Sequence, residues 1–249
     1  MKPLAALLLA LPLAANAEDW CPPPAKIAIV ASDDFNAGLA NWRLEAEDAA
    51  AQVTAKDGLL DIQTPAGLSL WWHQPLSGDY AIRFEAQALP APASARAHAG
   101  RLSDLNMFWN AAEADGAQPR PRSGKFSAYD ELRAYYVGFG ANANTTTRLR
   151  VYEGQRRLLQ GFADASSAEP GEQPMHPGTR LHPGQTLRIE IVSRRPTPTD
   201  PVHLRWSVNG QALFTRADAA PRLQGHFALR TTASRLQISK FQILQCRMP

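Results

Sequence analysis

An all-β fold, a sandwich or barrel, is what this sequence predicts, on three observations. Short runs of alternating apolar and polar residues recur from end to end, and no capped helical pattern competes with them. Turn signals separate the runs, led by Asn209-Gly210. A cysteine sits near each end of a chain that opens like an exported one.

In chain order, "MKPLAALLLALPLAANA" at 1–17 has one basic residue, Lys2, then an apolar run, then small residues at Ala15 and Ala17. That is the pattern of a secretory signal cleaved after Ala17. The apolar run is too short to span a bilayer, and no later stretch reaches 18 uncharged apolar residues. The expectation is a soluble secreted or periplasmic protein with no membrane partner. Residues 18–249 are then read as one domain. Cys21 and Cys246 predict a disulfide joining its ends, which requires their Cα atoms to lie within about 7 Å.

Alternating runs follow at 58–64 (GLLDIQT), 68–74 (LSLWWHQ), 80–89 (YAIRFEAQAL), 105–111 (LNMFWNA) and 132–139 (LRAYYVGF). Five more fall at 147–154 (TRLRVYEG), 187–194 (LRIEIVSR), 202–208 (VHLRWSV), 226–232 (HFALRTT) and 236–244 (LQISKFQIL). Ten or more strands make a two-layer or closed all-β fold. Irregular stretches at 90–103, 112–124, 164–185 and 194–201 are long enough for functional loops.

The formal net charge of +3 falls to about +2 once Lys2 is removed, which argues against nucleic acid as a partner. The cations are 21 arginines and five lysines. Arginine grips planar carboxylates bidentately.

"DDFNAGLANWRLEAE" at 33–47, "DGLLDIQTPAGLSLWW" at 57–72 and the closing "VNGQALF" and "FALRTTASRLQISKFQI" resemble the concanavalin A-like lectin/glucanase superfamily. "SDLNMFW" at 103–109, "SGKFSAYDELRAYYVGFG" at 123–140 and "NTTTRLRVY" at 144–152 are similar to a bacterial secreted family of unknown function within it. The resemblance implies a jelly-roll β-sandwich of two antiparallel sheets with a glycan on the concave face. Its members include hydrolases, lyases and lectins, so the site must decide.

Retaining glucanases of this superfamily carry an ExDxE strand, because two carboxylates about 5 Å apart must share the chemistry. That motif is absent; "SDLNMFW" offers Asp104, Asn106 and Phe108 at the alternating positions. Elimination beside a uronic acid needs other groups: a cation to offset the sugar carboxylate, and a base and an acid for the two protons. The stretch 129–152 supplies them. Arg133 and Tyr135 share one strand face, and Arg148 and Arg150 one face of the partner strand, so pairing through the 140–146 turn would gather all four. "DELR" and "YYVGFGANAN" also look like the ELR and YFKAG strands of jelly-roll alginate lyases, although the QIH strand of those enzymes has no counterpart here.

The expectation is therefore a carbohydrate-active protein engaging an acidic polysaccharide, first as a lyase. Tyr135, Arg133, Arg148 and Tyr129 are the expected catalytic set, with the Tyr135 pKa lowered by the arginines. Lys125, Asp104, Asn106, Asn144, Arg150, Trp72, His73 and Trp109 are expected to bind substrate. The alternatives are a non-catalytic binding protein, and a hydrolase using Asp104 and Asp130. A monomer without a cofactor is expected, with a structural Ca²⁺ near "SDDFN" at 32–36 as the one metal considered.

Overall fold

The computed structural model of the protein describes residues 20–219 and 224–247; the signal predicted at 1–17 lies outside them. The chain forms β1 (Lys26–Asp33), β2 (Trp42–Ala46), β3 (Gln52–Lys56), β4 (Leu59–Trp72), β5 (Leu76–Ser77), β6 (Tyr80–Leu89), β7 (Leu105–Ala112) and β8 (Arg133–Gly140). It continues through β9 (Thr146–Glu153), β10 (Arg156–Ala163), β11 (Gln173–Pro174), β12 (Thr186–Arg194), β13 (Val202–Val208), β14 (Gln211–Asp218) and β15 (Gln224–Arg247). The fold is an all-β jelly roll.

One hydrogen-bonded ladder curls over itself into two layers. The first half of β15 lies between β7 and the second half of β4, giving a layer ordered β11-β10-β9-β8-β7-β15-β4-β2. The second half of β15 lies beside β6 in the other layer, which continues to β12, β13 and β14 and carries β1 on its far side. The sequence runs at 58–64 and 68–74 are thus one strand, as are those at 226–232 and 236–244. Each crosses from layer to layer at a break: β15 slips register between Thr232 and Ser234, where Ala233 takes a left-handed φ of 45°. The Asn209-Gly210 turn joins β13 to β14 with φ of 51° and 81°, as a tight hairpin requires.

Between the layers lies the main core, including Trp72, Trp109, Tyr135, Trp206, Phe227 and Phe241. A second apolar cluster of Trp71, Phe108, Tyr129, Leu132, Tyr136 and Tyr152 sits on the outer face of the first layer, under the 113–132 loop. Tyr129 staples that loop down, its hydroxyl donating to Glu45 Oε2 at 2.6 Å on β2.

Cys21 and Cys246 form the predicted disulfide, with Cα atoms 5.4 Å apart and a sequence separation of 225. On the chain-entropy view a bridge over so long a loop contributes up to about 5 kcal/mol. No helix among the described residues is long and apolar enough to cross a membrane.

A basic cleft on the outer face of the first layer

Side chains alternate across the strands, so β4, β15, β7, β8 and β9 each send every second residue to the outer face. The register places Arg230 opposite Asn106, Asn106 opposite Gly138, and Gly138 opposite Arg148. One step along the strands, Ala228, Phe108, Tyr136 and Arg150 form the parallel row. Gly138 lets Asn106 and Tyr136 close in over the first row; a Cβ there would lie a cramped 3.2 Å from Asn106 Oδ1 and 3.3 Å from the Tyr136 ring. Arg230, Asn106, Tyr136 and Arg150 from these two rows line a cleft of about 620 Å³. Arg101 and His98 from the 93–104 loop, Phe126, Arg156 and Glu169 complete its walls.

Four arginines against two carboxylates, Asp104 and Glu169, make the cleft basic. Three of the arginines have acidic partners: Arg101 with Asp104 at 3.0 Å, Arg156 with Asp130 at 3.0 Å and Arg150 with Glu169 at 3.3 Å. Arg230 is 1% exposed and pairs with no carboxylate among the described residues. Its Nη1 donates to Ser69 Oγ at 3.1 Å and to the Gly124 carbonyl at 2.9 Å. The guanidinium carbon lies 4.7 Å from the Phe126 ring centroid and 5.1 Å from that of Tyr129, so aromatic faces offset part of the cost of burying the charge. Nη2 is buried without a partner.

Asn106 is the acceptor counterpart. Its Nδ2 donates to Asp104 Oδ1 at 3.4 Å, which orients the amide, and its buried Oδ1 accepts nothing. Asp104 enters β7 in the left-handed region, at φ 66°, which aspartate tolerates. Burial raises its pKa, against the lowering effects of Ser103, Arg101 and Asn106. The Tyr136 phenol is pushed well above the usual tyrosine value, first by burial and then by Tyr152, against the pull of Arg230 and Arg150. It is a neutral phenol across the physiological range.

Of the residues picked from sequence, Asp104, Asn106 and Arg150 line the cleft. Tyr135 does not: alternation turns it inward, it is fully buried against Trp109, and its hydroxyl donates to Asp218 Oδ2. Tyr136 holds the outer position instead. Arg133 shares the inward parity of Tyr135 but lies at the exposed strand end, opposite Glu153.

Arg148 faces outward beside the cleft but is sealed by Glu172, which accepts from Nε at 2.6 Å and Nη2 at 2.7 Å. Gly161 makes room for that carboxylate; a Cβ there would sit 2.1 Å from Glu172 Oε1. Tyr129 is buried as the loop staple, and its phenol is pushed upward by burial and by Glu45. Trp72 and Trp109 belong to the core between the layers. Asn144 closes the β8–β9 turn by bonding both Leu181 backbone groups, at 2.8 and 2.9 Å. Lys125 and His73 are exposed and line no part of the cleft.

Near 32–36, Asp33 accepts from Phe35 N, Asn41 Nδ2 and Trp42 Nε1 at 2.7, 3.0 and 2.8 Å. No group of three His, Cys, Asp or Glu side chains suited to a metal occurs among the described residues.

Sequence reasoning missed Arg230, Tyr136, Arg101, Arg156, Phe126 and Glu169. Arg230 carried one usable signal, a guanidinium directly after the apolar run Phe227-Ala228-Leu229.

Solved structures share this architecture. A Bacillus subtilis protein of unknown function with a galectin-like fold aligns over 90% of this chain and 100% of its own, with a TM-score of 0.66 and 14% identity. An endo-β-1,3-glucanase from Pyrococcus furiosus aligns over 90% and 96%, with a TM-score of 0.54 and 8% identity. The Emp46p carbohydrate recognition domain, in its metal-free form, aligns over 82% and 88%, with a TM-score of 0.51 and 11% identity. At such identities the likeness is one of fold. No curated protein matches the sequence. The family model of DUF6250, a domain of unknown function, matches residues 62–241, and the chain belongs to that family.

Proposed function

We propose that this is a secreted carbohydrate-active protein whose cleft takes an acidic saccharide, the sugar carboxylate docking on Arg230. One observation carries the reading: Arg230 and Asn106 both line the same basic hollow, and each holds a buried polar atom without a partner, a guanidinium donor and an amide acceptor. Such groups are costly to leave unpaired. A ligand with both carboxylate and hydroxyl groups satisfies the two together. The shared fold with a carbohydrate recognition domain and a glucanase supports a saccharide as that ligand. The disulfide and the signal-like opening support export.

β-Elimination is the chemistry the cleft groups favour. Arg230 offsets the uronate charge and acidifies the C5 proton. His98, on the rim, takes that proton; its electron pair forms the C4=C5 double bond as the C4–O bond breaks. Tyr136, held neutral, protonates the departing oxygen. Hydrolysis by Asp104 and Asp130 is less favoured, because Arg156 engages Asp130 and Arg101 engages Asp104.

Incubation with a panel of uronate-containing glycans, followed by ultraviolet absorbance of unsaturated ends, tests the reading. Absorbance that disappears in Tyr136→Phe supports elimination; binding without absorbance assigns a non-catalytic binding protein. Failure to bind any acidic glycan refutes the reading.

A further inference from the structure

We infer that Glu169 is a built-in placeholder for a second ligand carboxylate, so that the cleft selects saccharides carrying acidic groups at more than one position. This rests on the acidic-saccharide reading above and deepens it.

The Glu169 carboxylate reaches over the cleft rim to Arg150 Nη2 at 3.3 Å and Arg148 Nη1 at 3.2 Å, while its side chain remains 47% exposed. Arg148 does not depend on it. Glu172, whose side chain is fully buried, binds Arg148 bidentately, and the Ser167 carbonyl accepts from the same guanidinium at 2.6 Å. Arg150 has no carboxylate but Glu169 among the described residues. The backbone around Glu169 is fixed independently of its carboxylate. Its N–H donates to Glu172 Oε2 at 2.8 Å and its carbonyl accepts from Glu172 N at 3.2 Å. The carboxylate can therefore swing into solvent by rotamer change alone, leaving the wall in place.

That swing frees Arg150 as a second anion clamp. Arg150 on β9 and Arg230 on β15 are separated by two intervening strands, β8 and β7, hence by three strand spacings or about 14 Å. Asn106 and the Tyr136 ring, both lining the cleft, lie between them. A single sugar carboxylate meets one clamp, whereas a chain acidic along its length meets both. Exposed ion pairs are weak, so a ligand carboxylate outcompetes Glu169 at small cost.

The test uses two oligosaccharides of equal length, one with a single uronate and one with a uronate at every position, titrated calorimetrically. Wild-type protein is expected to prefer the fully acidic ligand. Glu169→Gln should strengthen binding of that ligand about two- to fivefold and leave the single-uronate ligand unchanged. Arg150→Gln should erase the preference while single-uronate binding persists. Unchanged or weaker binding of the fully acidic ligand by Glu169→Gln, or a preference surviving in Arg150→Gln, overturns the inference and leaves the Arg230 reading standing. If wild-type protein binds neither ligand, both fall.

Discussion

Replacing Arg230 by methionine should abolish most acidic-saccharide binding while leaving the fold in place. The substitution keeps a long side chain between Phe126 and Tyr129 and removes a charge that is 1% exposed and lacks a carboxylate partner among the described residues. A hydrogen bond to a charged group contributes about 1.5–3 kcal/mol. Losing the one proposed to the ligand should therefore weaken affinity roughly 10- to 150-fold.

The fold loses two bonds, to Ser69 Oγ and the Gly124 carbonyl, and two cation–π contacts. It gains relief from a buried charge with an unsatisfied donor. The terms oppose one another, and a net loss of about 1–2 kcal/mol is expected. Arg230→Lys keeps the charge without the planar fork and should fall between wild type and methionine. Titration calorimetry with uronate and neutral oligosaccharides, alongside urea unfolding, measures both effects. Unchanged uronate affinity in a folded Arg230→Met protein, or an equal loss for both ligand types, would refute the reasoning.

Three further outcomes follow from the same geometry. Gly138→Val should keep its strand, since valine suits β-structure. A Cβ alone would already lie 3.2 Å from Asn106 Oδ1 and 3.3 Å from the Tyr136 ring, so valine crowds both cleft residues: binding should fall at least tenfold and the unfolding midpoint should fall with it. Tyr136→Phe should remove turnover if the protein is a lyase, with affinity within about threefold of wild type, whereas Tyr135→Phe should leave kcat unchanged because its hydroxyl faces Asp218 in the interior.

Acid should weaken the cleft wall. Burial would raise the Glu172 carboxyl, but Arg148 and the Glu169 backbone outweigh it and hold its pKa below the usual value. The Arg122 hydrogen bond likewise holds Glu113 low. Depressed folded pKa values add stability above the unfolded value of about 4.3 and lose it as pH falls through the folded ones. Asp104, raised by burial, works in the opposite sense. Urea unfolding as a function of pH should show stability declining below about pH 4, and Glu172→Ala should lose about 3–5 kcal/mol at pH 7 and flatten the decline. A steep decline surviving intact in that variant would place the acid sensitivity elsewhere.

Most of the sheet was legible because period-two alternation marks strands directly. Tyr80–Leu89 and Val202–Val208 have the predicted bounds, β7 and β12 differ by a residue at one end, and β8 and β9 are shifted by one residue. The ten runs left out β1, β2, β3 and β10 and the two-residue β5 and β11, and only the Asn209-Gly210 hairpin signal marked β14. "KIAIVASD" and "RRLLQGFA" lack clean alternation, and the burial of β1 is irregular at an edge where Ile29 is 57% exposed. The joining of separate runs into β4 and β15 was hidden because a strand crossing between layers changes its buried side at the bend.

The site was half legible for a related reason. Alternation shows that Tyr135 and Tyr136 point oppositely, but not which one faces the cleft. Both faces of β8 are covered, one by the core and one by the 113–132 loop, so hydrophobicity gives no polarity to read. Arg230 and Arg101 reach the cleft through long-range pairing, which a local pattern does not encode.

The central claim is that a sugar carboxylate, and not the sugar ring alone, fills this cleft. Its most direct test is wild-type affinity for one uronate oligosaccharide and for the same oligosaccharide with its carboxylates chemically reduced to alcohols. Tight, salt-sensitive binding of the acid and at least tenfold weaker binding of the alcohol are expected. Equal affinity for the two would contradict the claim.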